Sequence, residues 1–260
     1  MTYEDILLEQ RGGVATLTLN RPQKLNALTN VMLGGILDAA GRVALDESMR
    51  VLVIRGAGRA FCAGDDLSDM GPHPHPVPPG TSPVSEYQHK VVKTLRSLPK
   101  PVIASIHGVC LGMGHDLAMS CDLRIAAQTA RLGEPRILRG MHVSTGGTYL
   151  LPRTVGVPRA MEILMTGRFV EAGEALRIGL LHRVVPDGEL EAATQELADE
   201  LARGPTKAYG FLKLQVYREH DMQIDEALRD MIYYEWDQIE DREEGVRAFL
   251  EKREPRFRGR

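Results

Sequence analysis

One carboxylate near the middle of the chain stands where chemistry is possible. Residues 106–124 read Ile-His-Gly-Val-Cys-Leu-Gly-Met-Gly-His-Asp-Leu-Ala-Met-Ser-Cys-Asp-Leu-Arg. Gly108, Gly112 and Gly114 precede Asp116, and Leu117, Ala118 and Cys121 are spaced to share one helical face. Asp116 then falls in the first turn of a helix. Glycines let the backbone approach a ligand closely. The first N–H groups of a helix lack intrahelical partners and carry partial positive charge. Aimed at a carbonyl oxygen, they stabilise negative charge that develops there. The same pattern also fits a plain strand-to-helix corner, and this stretch alone does not choose.

A second corner of the same kind reads Gly56-Ala57-Gly58-Arg59-Ala60-Phe61-Cys62-Ala63-Gly64-Asp65-Asp66-Leu67. It matches neither GxxxxGK[ST] nor GxGxxG, so a phosphate loop is not indicated. Two corners can each give one N–H to a single oxyanion hole.

The elements that must position these corners follow from periodicity. Residues 4–20 alternate around Gly12-Gly13 as a β-hairpin. Thr29 is the expected N-cap of a helix running to about Leu45. Val51–Arg55 and Val102–Ile106 are short apolar runs typical of buried strands. Residues 70–86 carry six prolines with His73 and His75 between them, which predicts a solvated loop rather than a metal site. Helices are expected over 85–98, 158–165, 171–178 and 190–202, and the chain reads mostly helical from Lys207 onward. Strands and helices alternating around glycine turns predict an α/β core with a helical C-terminal part. The expected division is 1–200 for the core and 201–260 for the helical region.

With 260 residues, 43% hydrophobic, the chain can bury one sizeable core. A net charge of −3 without a basic patch argues against nucleic acid. No apolar run nears the ~20 residues needed to cross a membrane, and no signal peptide is seen. Cys62, Cys110 and Cys121 sit among apolar neighbours, as expected of reduced thiols in a cytoplasmic protein. No metal-ligand spacing appears.

Taken together, the motifs resemble the enoyl-CoA hydratase/isomerase (crotonase) family. The resemblance runs through Arg21-Pro22, Asn26-Ala27-Leu28, Ala60–Leu67, Ile106–Gly114, Asp116–Met119, Gly146-Gly147-Thr148, Leu151-Pro152-Arg153, Thr166-Gly167-Arg168 and Ala248–Arg253. It implies a crotonase-like spiral of repeated ββα units, with a helical C-terminal region that makes a homotrimer or a dimer of trimers. It implies an acyl-CoA substrate, with coenzyme A part of that substrate and no separate cofactor. The oxyanion-hole N–H groups would belong to Asp65 and Met113. Coenzyme A would lie along Lys24, Leu25, Ala27, Ala63, Gly64, Asp66 and Leu67, with Gly112 and Ser144 near the acyl group. Lys24 and Arg59 are candidates for phosphate contacts.

The departures narrow the chemistry. Hydratases of this family place two glutamates around a water; those positions hold Asp116 and Arg136 here. Arginine does not exchange a proton at working pH. The position where isomerases often carry an acid is Ser144. Arg136 either pairs with Asp116, which is expected to lower its pKa, or holds a substrate carboxylate. Glu134 can substitute for the lost acid if the local backbone is shifted. His115 and His142 are possible proton carriers, with ordinary packing the favoured role for both. Three readings follow: an enolate-forming hydratase/isomerase with Asp116 as proton carrier, an acyl-CoA hydrolase or decarboxylase with Arg136 on a substrate carboxylate, and a non-catalytic acyl-CoA-binding protein.

Overall fold

The computed structural model describes residues 2–3, 5–69, 83–230 and 239–260. The strands are β1 (Thr2–Tyr3), β2 (Ile6–Arg11), β3 (Val14–Leu19), β4 (Val51–Gly56), β5 (Val102–Ile106), β6 (Val109–Leu111), β7 (Leu123–Ala127), β8 (Arg131–Gly133), β9 (Phe169–Glu171) and β10 (Arg183–Val185). The helices are α1 (Asn30–Leu45), α2 (Pro83–Ser97), α3 (Met113–Met119), α4 (Gly147–Val155), α5 (Val157–Thr166), α6 (Ala172–Arg177), α7 (Leu190–Arg203), α8 (Thr206–Glu219), α9 (Ile224–Asp230) and α10 (Asp241–Glu251).

Seven strands form one sheet in the order β1-β2-β3-β4-β5-β7-β10, and β6-β8-β9 form a second. The hairpin pairs β2 with β3 antiparallel, and β3, β4, β5, β7 and β10 then run parallel. Alternation puts Leu17, Leu19, Leu52, Ile54, Ala104 and Ile106 on one face, packed with α1 and the rest of the main core. Val14, Val51, Val53 and Ile103 face the other way and pack on α7. The Thr29 hydroxyl accepts from Met32 N–H, so α1 starts at the expected cap.

Several elements depart from the sequence reading. The second sheet was not anticipated, because β6, β8 and β9 have three residues each, too few to show a period. Asp65 and Asp66, which end the Gly56–Leu67 corner (the first of the two in chain order), are followed only by a three-residue 3₁₀ turn, Leu67–Asp69. The proline-rich segment lies in its greater part, residues 70–82, outside the described residues; α2 begins earlier than expected, with Pro83 in its first turn.

The C-terminal helices are tied into the body. Arg50, just before β4, donates to Thr206 Oγ1 at 2.8 Å, Gly204 O at 2.6 Å and Phe257 O at 3.3 Å. Asp122, between α3 and β7, accepts from Val102 N–H at 2.7 Å and from Tyr217 Oη at 2.8 Å, and lies 2.9 Å from Lys213 Nζ. Among the described residues no helix is long and apolar enough to cross a membrane.

Candidate active site

The two glycine corners lie side by side. Phe61 N–H donates to His107 O, Cys62 N–H to Val109 O, and Leu111 N–H to Cys62 O, at 2.8, 3.0 and 2.9 Å. Gly114 packs on Cys62, where an added Cβ would stand 2.6 Å from the Cys62 Cβ. Gly64 and Gly112 both have positive φ, +107° and +53°, which side chains rarely adopt. A Cβ on Gly112 would lie 3.6 Å from Gly64 Cα, so the corners meet at these glycines. The residues that follow these glycines are Asp65 and Met113. Met113 opens α3, where its N–H has no intrahelical acceptor.

Asn26 fixes the first corner. It is fully buried, and its Nδ2 donates to Ala57 O, Ala60 O and Phe61 O at 2.9, 2.8 and 3.2 Å. Its Oδ1 accepts from Arg21 N–H at 2.9 Å. The strand pairing continues through Ala63 N–H to Leu25 O and Leu28 N–H to Gly64 O. This brings Leu25, Ala27, Ala63, Gly64 and Asp66 together, with Lys24 and Leu67 exposed at the margin. The Arg21 guanidinium lies 2.6 Å from the Asp66 carboxylate. Hydrogen bonds from Ser68 and Arg21 push that carboxyl down to about 2.

Asp116 is fully buried in the first turn of α3. Its Oδ2 lies 2.9 Å from Arg136 Nη2 and takes a hydrogen bond from the Thr145 hydroxyl. Arg136 sits in the 3₁₀ turn Pro135–Arg139 that follows β8, and its Nη1 donates to Thr145 Oγ1 at 3.0 Å. Its Nε is 3.6 Å from Asp65 Oδ2, and Nη1 is 3.7 Å from Glu134 Oε2. The Asp65 carboxylate is held by Gln88 of α2 and leans on its own N–H. One guanidinium therefore faces three carboxylates. Gly147, at the start of α4, leaves room for the cluster; a Cβ there would stand 2.6 Å from Asp116 Oδ1.

The pairing of Arg136 with Asp116 is observed, and Arg136 lowers the Asp116 pKa as expected, but the net shift is upward. Burial, helped by Glu134, raises the Asp116 carboxyl to about 6 and outweighs the lowering by Arg136. Burial raises Glu134 to about 7 and also raises Asp65. Burial favours loss of the Arg136 proton, yet the three carboxylates hold its pKa above the ordinary value. His115 is buried, with Nδ1 3.2 Å from Glu134 Oε1, and burial pushes it down to about 4, so it is neutral at working pH. His142 is exposed. Ser144 is exposed, and its carbonyl oxygen lies 2.6 Å from His89 Nε2. Burial drives the Cys62 thiol up to about 12, which makes it a poor nucleophile.

His115, Asp116 and Glu134 offer donor atoms within 4.8 Å of one another, a set a metal can use. The Arg136 guanidinium already stands against both carboxylates, so a divalent cation would be placed beside a fixed positive charge. A groove of about 640 Å³, lined by Thr18, Arg55, Ser105, His107 and Thr194, shares no residue with the acid cluster. Thr145 and Gln88, which hold Asp116 and Asp65, were not found from sequence. Nothing in their local pattern sets them apart, since their partners are 29 and 23 residues away.

The enoyl-CoA hydratase/isomerase profile matches residues 9–260. The chain belongs to this family. It is 37% identical to the 1,2-epoxyphenylacetyl-CoA isomerase of Escherichia coli K12, over 99% of both chains. It is 35% identical to the short-chain-enoyl-CoA hydratase of Clostridium acetobutylicum, over 97% of both. Among solved structures, an enoyl-CoA hydratase subunit of Geobacillus kaustophilus superposes with a TM-score of 0.89 at 35% identity, covering 99% of both chains. The fold is thus the crotonase fold of this family. The Asp116–Arg136 pair stands where the family resemblance placed two glutamates.

Proposed function

We propose that the protein is an acyl-CoA enzyme that works through an enolate, with Asp116 as the proton carrier. The thioester carbonyl would be held by the N–H groups of Asp65 and Met113, and the enolate oxygen stabilised there. The carrying observation is Asp116 itself: a fully buried carboxyl, raised to about 6, at the start of α3 beside the two abutting glycine corners. A pKa near 6 suits a group that must accept and return a proton. A bound carbonyl would displace the Asp65 carboxylate from its own N–H; Gln88 and Arg136 are in place to retain that carboxylate.

Arg136 disfavours hydration by two carboxylates and favours a single-acid proton shift, hence isomerisation. Coenzyme A would follow Lys24, Leu25, Ala27, Ala63, Gly64, Asp66 and Leu67, with Gly112 and Ser144 bordering the acyl group. Arg136 is disfavoured as a receptor for a substrate carboxylate: Asp116 and Thr145 take its Nη donors, Asp65 Oδ2 lies 3.6 Å from its Nε, and it is 7% exposed. The exposed apolar residues Leu212, Val216, Phe249 and Leu250 support a homotrimer, or a dimer of trimers, built on residues 201–260. Three buried free thiols fit a cytoplasmic protein.

The test is Asp116→Asn assayed on a panel of acyl-CoA thioesters, with exchange of the α-proton followed in D₂O. Loss of both turnover and exchange, with thioester binding retained, is the expected result. Turnover unchanged in the variant would refute the role given to Asp116. Tight binding without turnover by the unmodified protein across the whole panel would instead point to a non-catalytic acyl-CoA binder.

A further inference from the structure

Glu134 is a carboxyl group that this reading leaves without a task. It is fully buried at the junction of β8 and the Pro135–Arg139 turn. His115 Nδ1 lies 3.2 Å from its Oε1, whereas Arg136 Nη1 is 3.7 Å from Oε2, too far for a hydrogen bond. Glu134 Oε2 and Asp116 Oδ1 are both buried without a donor. The two carboxyl groups bring an oxygen of each within 4.8 Å. Gly147 packs against both: a Cβ there would stand 2.6 Å from Asp116 Oδ1 and 3.5 Å from Glu134 Oε1.

Two ionised carboxylates only accept, so neither can satisfy the other. A single proton turns one of them into a donor toward the other and removes the like-charge repulsion between them. The surroundings call for that proton. Among the described residues, Asp65, Asp116 and Glu134 share one ion-pair partner, Arg136. From α3, His115 is neutral, because burial pushes it down to about 4. From β6, the Cys110 thiol is raised well above its ordinary value and stays protonated. α4 meets both carboxyl groups with Gly147, which does not titrate.

We propose that Glu134 and Asp116 hold one proton between them, and that Glu134 is thereby the positioning residue that sets the proton affinity of Asp116. The proposal rests on the reading that Asp116 moves the substrate proton. In the resting pair Glu134 carries the proton and donates it to the Asp116 carboxylate. Asp116 then takes a proton from carbon, and the C–H electron pair passes into the enolate. The pair now holds two protons. Return of one from Asp116 to the other carbon restores the starting count, so no co-reactant is needed. Glu134 touches no reacting atom.

The experiment is infrared spectroscopy of the full-length, substrate-free protein in D₂O, reading the C=O stretch of protonated carboxyl groups near neutral pH. One such band is expected in the unmodified protein. Glu134→Gln should remove it. Asp116→Asn should remove it too, because Glu134 left alone beside Arg136 ionises. In steady state, Glu134→Gln, which keeps a neutral donor beside Asp116, should leave the acid limb of the kcat/KM profile in place, whereas Glu134→Ala, which removes the donor, should move it to higher pH by about one unit, with KM little changed in both. Glu134→Asp should keep the band. Absence of the band from the unmodified protein, or its persistence in either band-removing variant, overturns the proposal. Should Glu134→Gln not fold, Asp116→Asn decides alone. If the band behaves as expected while Asp116→Asn still turns over acyl-CoA, the catalytic reading falls and the shared proton stands.

Discussion

Arg136 Nη2 lies 2.9 Å from Asp116 Oδ2, with both side chains almost wholly buried. The contact neutralises one carboxylate, but Asp65 and Glu134 also face the same guanidinium. Arg136 is therefore the counter-ion of a cluster and not the partner of one acid.

Removing that counter-ion should harm both stability and chemistry. Arg136→Gln leaves two buried carboxylates and the half-buried Asp65 without this cation, and a loss of about 3–5 kcal/mol in folding stability is expected. Urea unfolding would measure it. The same variant should raise the Asp116 pKa, so the acid limb of its activity profile moves to higher pH. Arg136→Glu, which puts an acid where the family resemblance placed a glutamate, should destabilise further and gain no hydration activity, because it adds a fourth acid to the cluster.

Asp116→Asn should lower kcat by about 100-fold or more, the usual scale for losing a general acid–base group. KM should change little, since the backbone N–H groups that would hold the thioester are untouched. A comparable rise in KM would place Asp116 in binding instead.

Gly147→Ala tests the space around the acid. The new methyl would stand 2.6 Å from Asp116 Oδ1 and 2.8 Å from Val143 Cγ1. Asp116 must move or α4 must shift, at about 1–3 kcal/mol in stability. Activity should fall more steeply than stability, as comparison of kcat with thermal unfolding would reveal.

The buried acids also give stability a pH dependence of definite sign. Asp116 and Glu134 titrate near 3.8 and 4.5 when unfolded, and near 6 and 7 when folded. The folded chain thus binds more protons in between. Their contribution is fully present below the unfolded values and is lost as pH rises through about 6 and 7. Glu134→Gln should remove part of that decline. Relative to the unmodified protein, the variant should gain stability from about pH 5 to about pH 8, read as the difference between the two unfolding midpoints at each pH.

Asn26→Ala should uncouple the first corner. It strips the donor from three backbone carbonyls and leaves alanine at φ 57°. A loss of at least about 2 kcal/mol is expected. Asn26→Gly, which relieves only the backbone, should recover a minor part of it.

Much of this arrangement was legible in the sequence. The two glycine corners, the α1 cap at Thr29 and the place of Asp116 in a first turn are local patterns, and local patterns survive in a linear reading. The alternation from Val14 to Leu19 likewise predicted the hairpin. What escaped was set by packing. The Thr145 and Gln88 bonds join segments that no periodicity relates. For the Asp116 pKa, the sequence shows the opposite charge of Arg136, which does lower it, and hides the burial that outweighs it. Glu134 carried a clear signal, an acid two residues before the departure at Arg136, but its contact with His115 needed the fold.

The three contacts at Asp122 bear on where the chain can be cut. Val102 belongs to β5, while Lys213 and Tyr217 belong to α8. A truncation at residue 200 would remove two of the three and strand a carboxylate three residues beyond the end of the helix that carries Asp116. Such a fragment should lose the alignment of α3 before it loses its sheet. Helix α8 therefore acts as a brace for the acid helix, whatever else it assembles with.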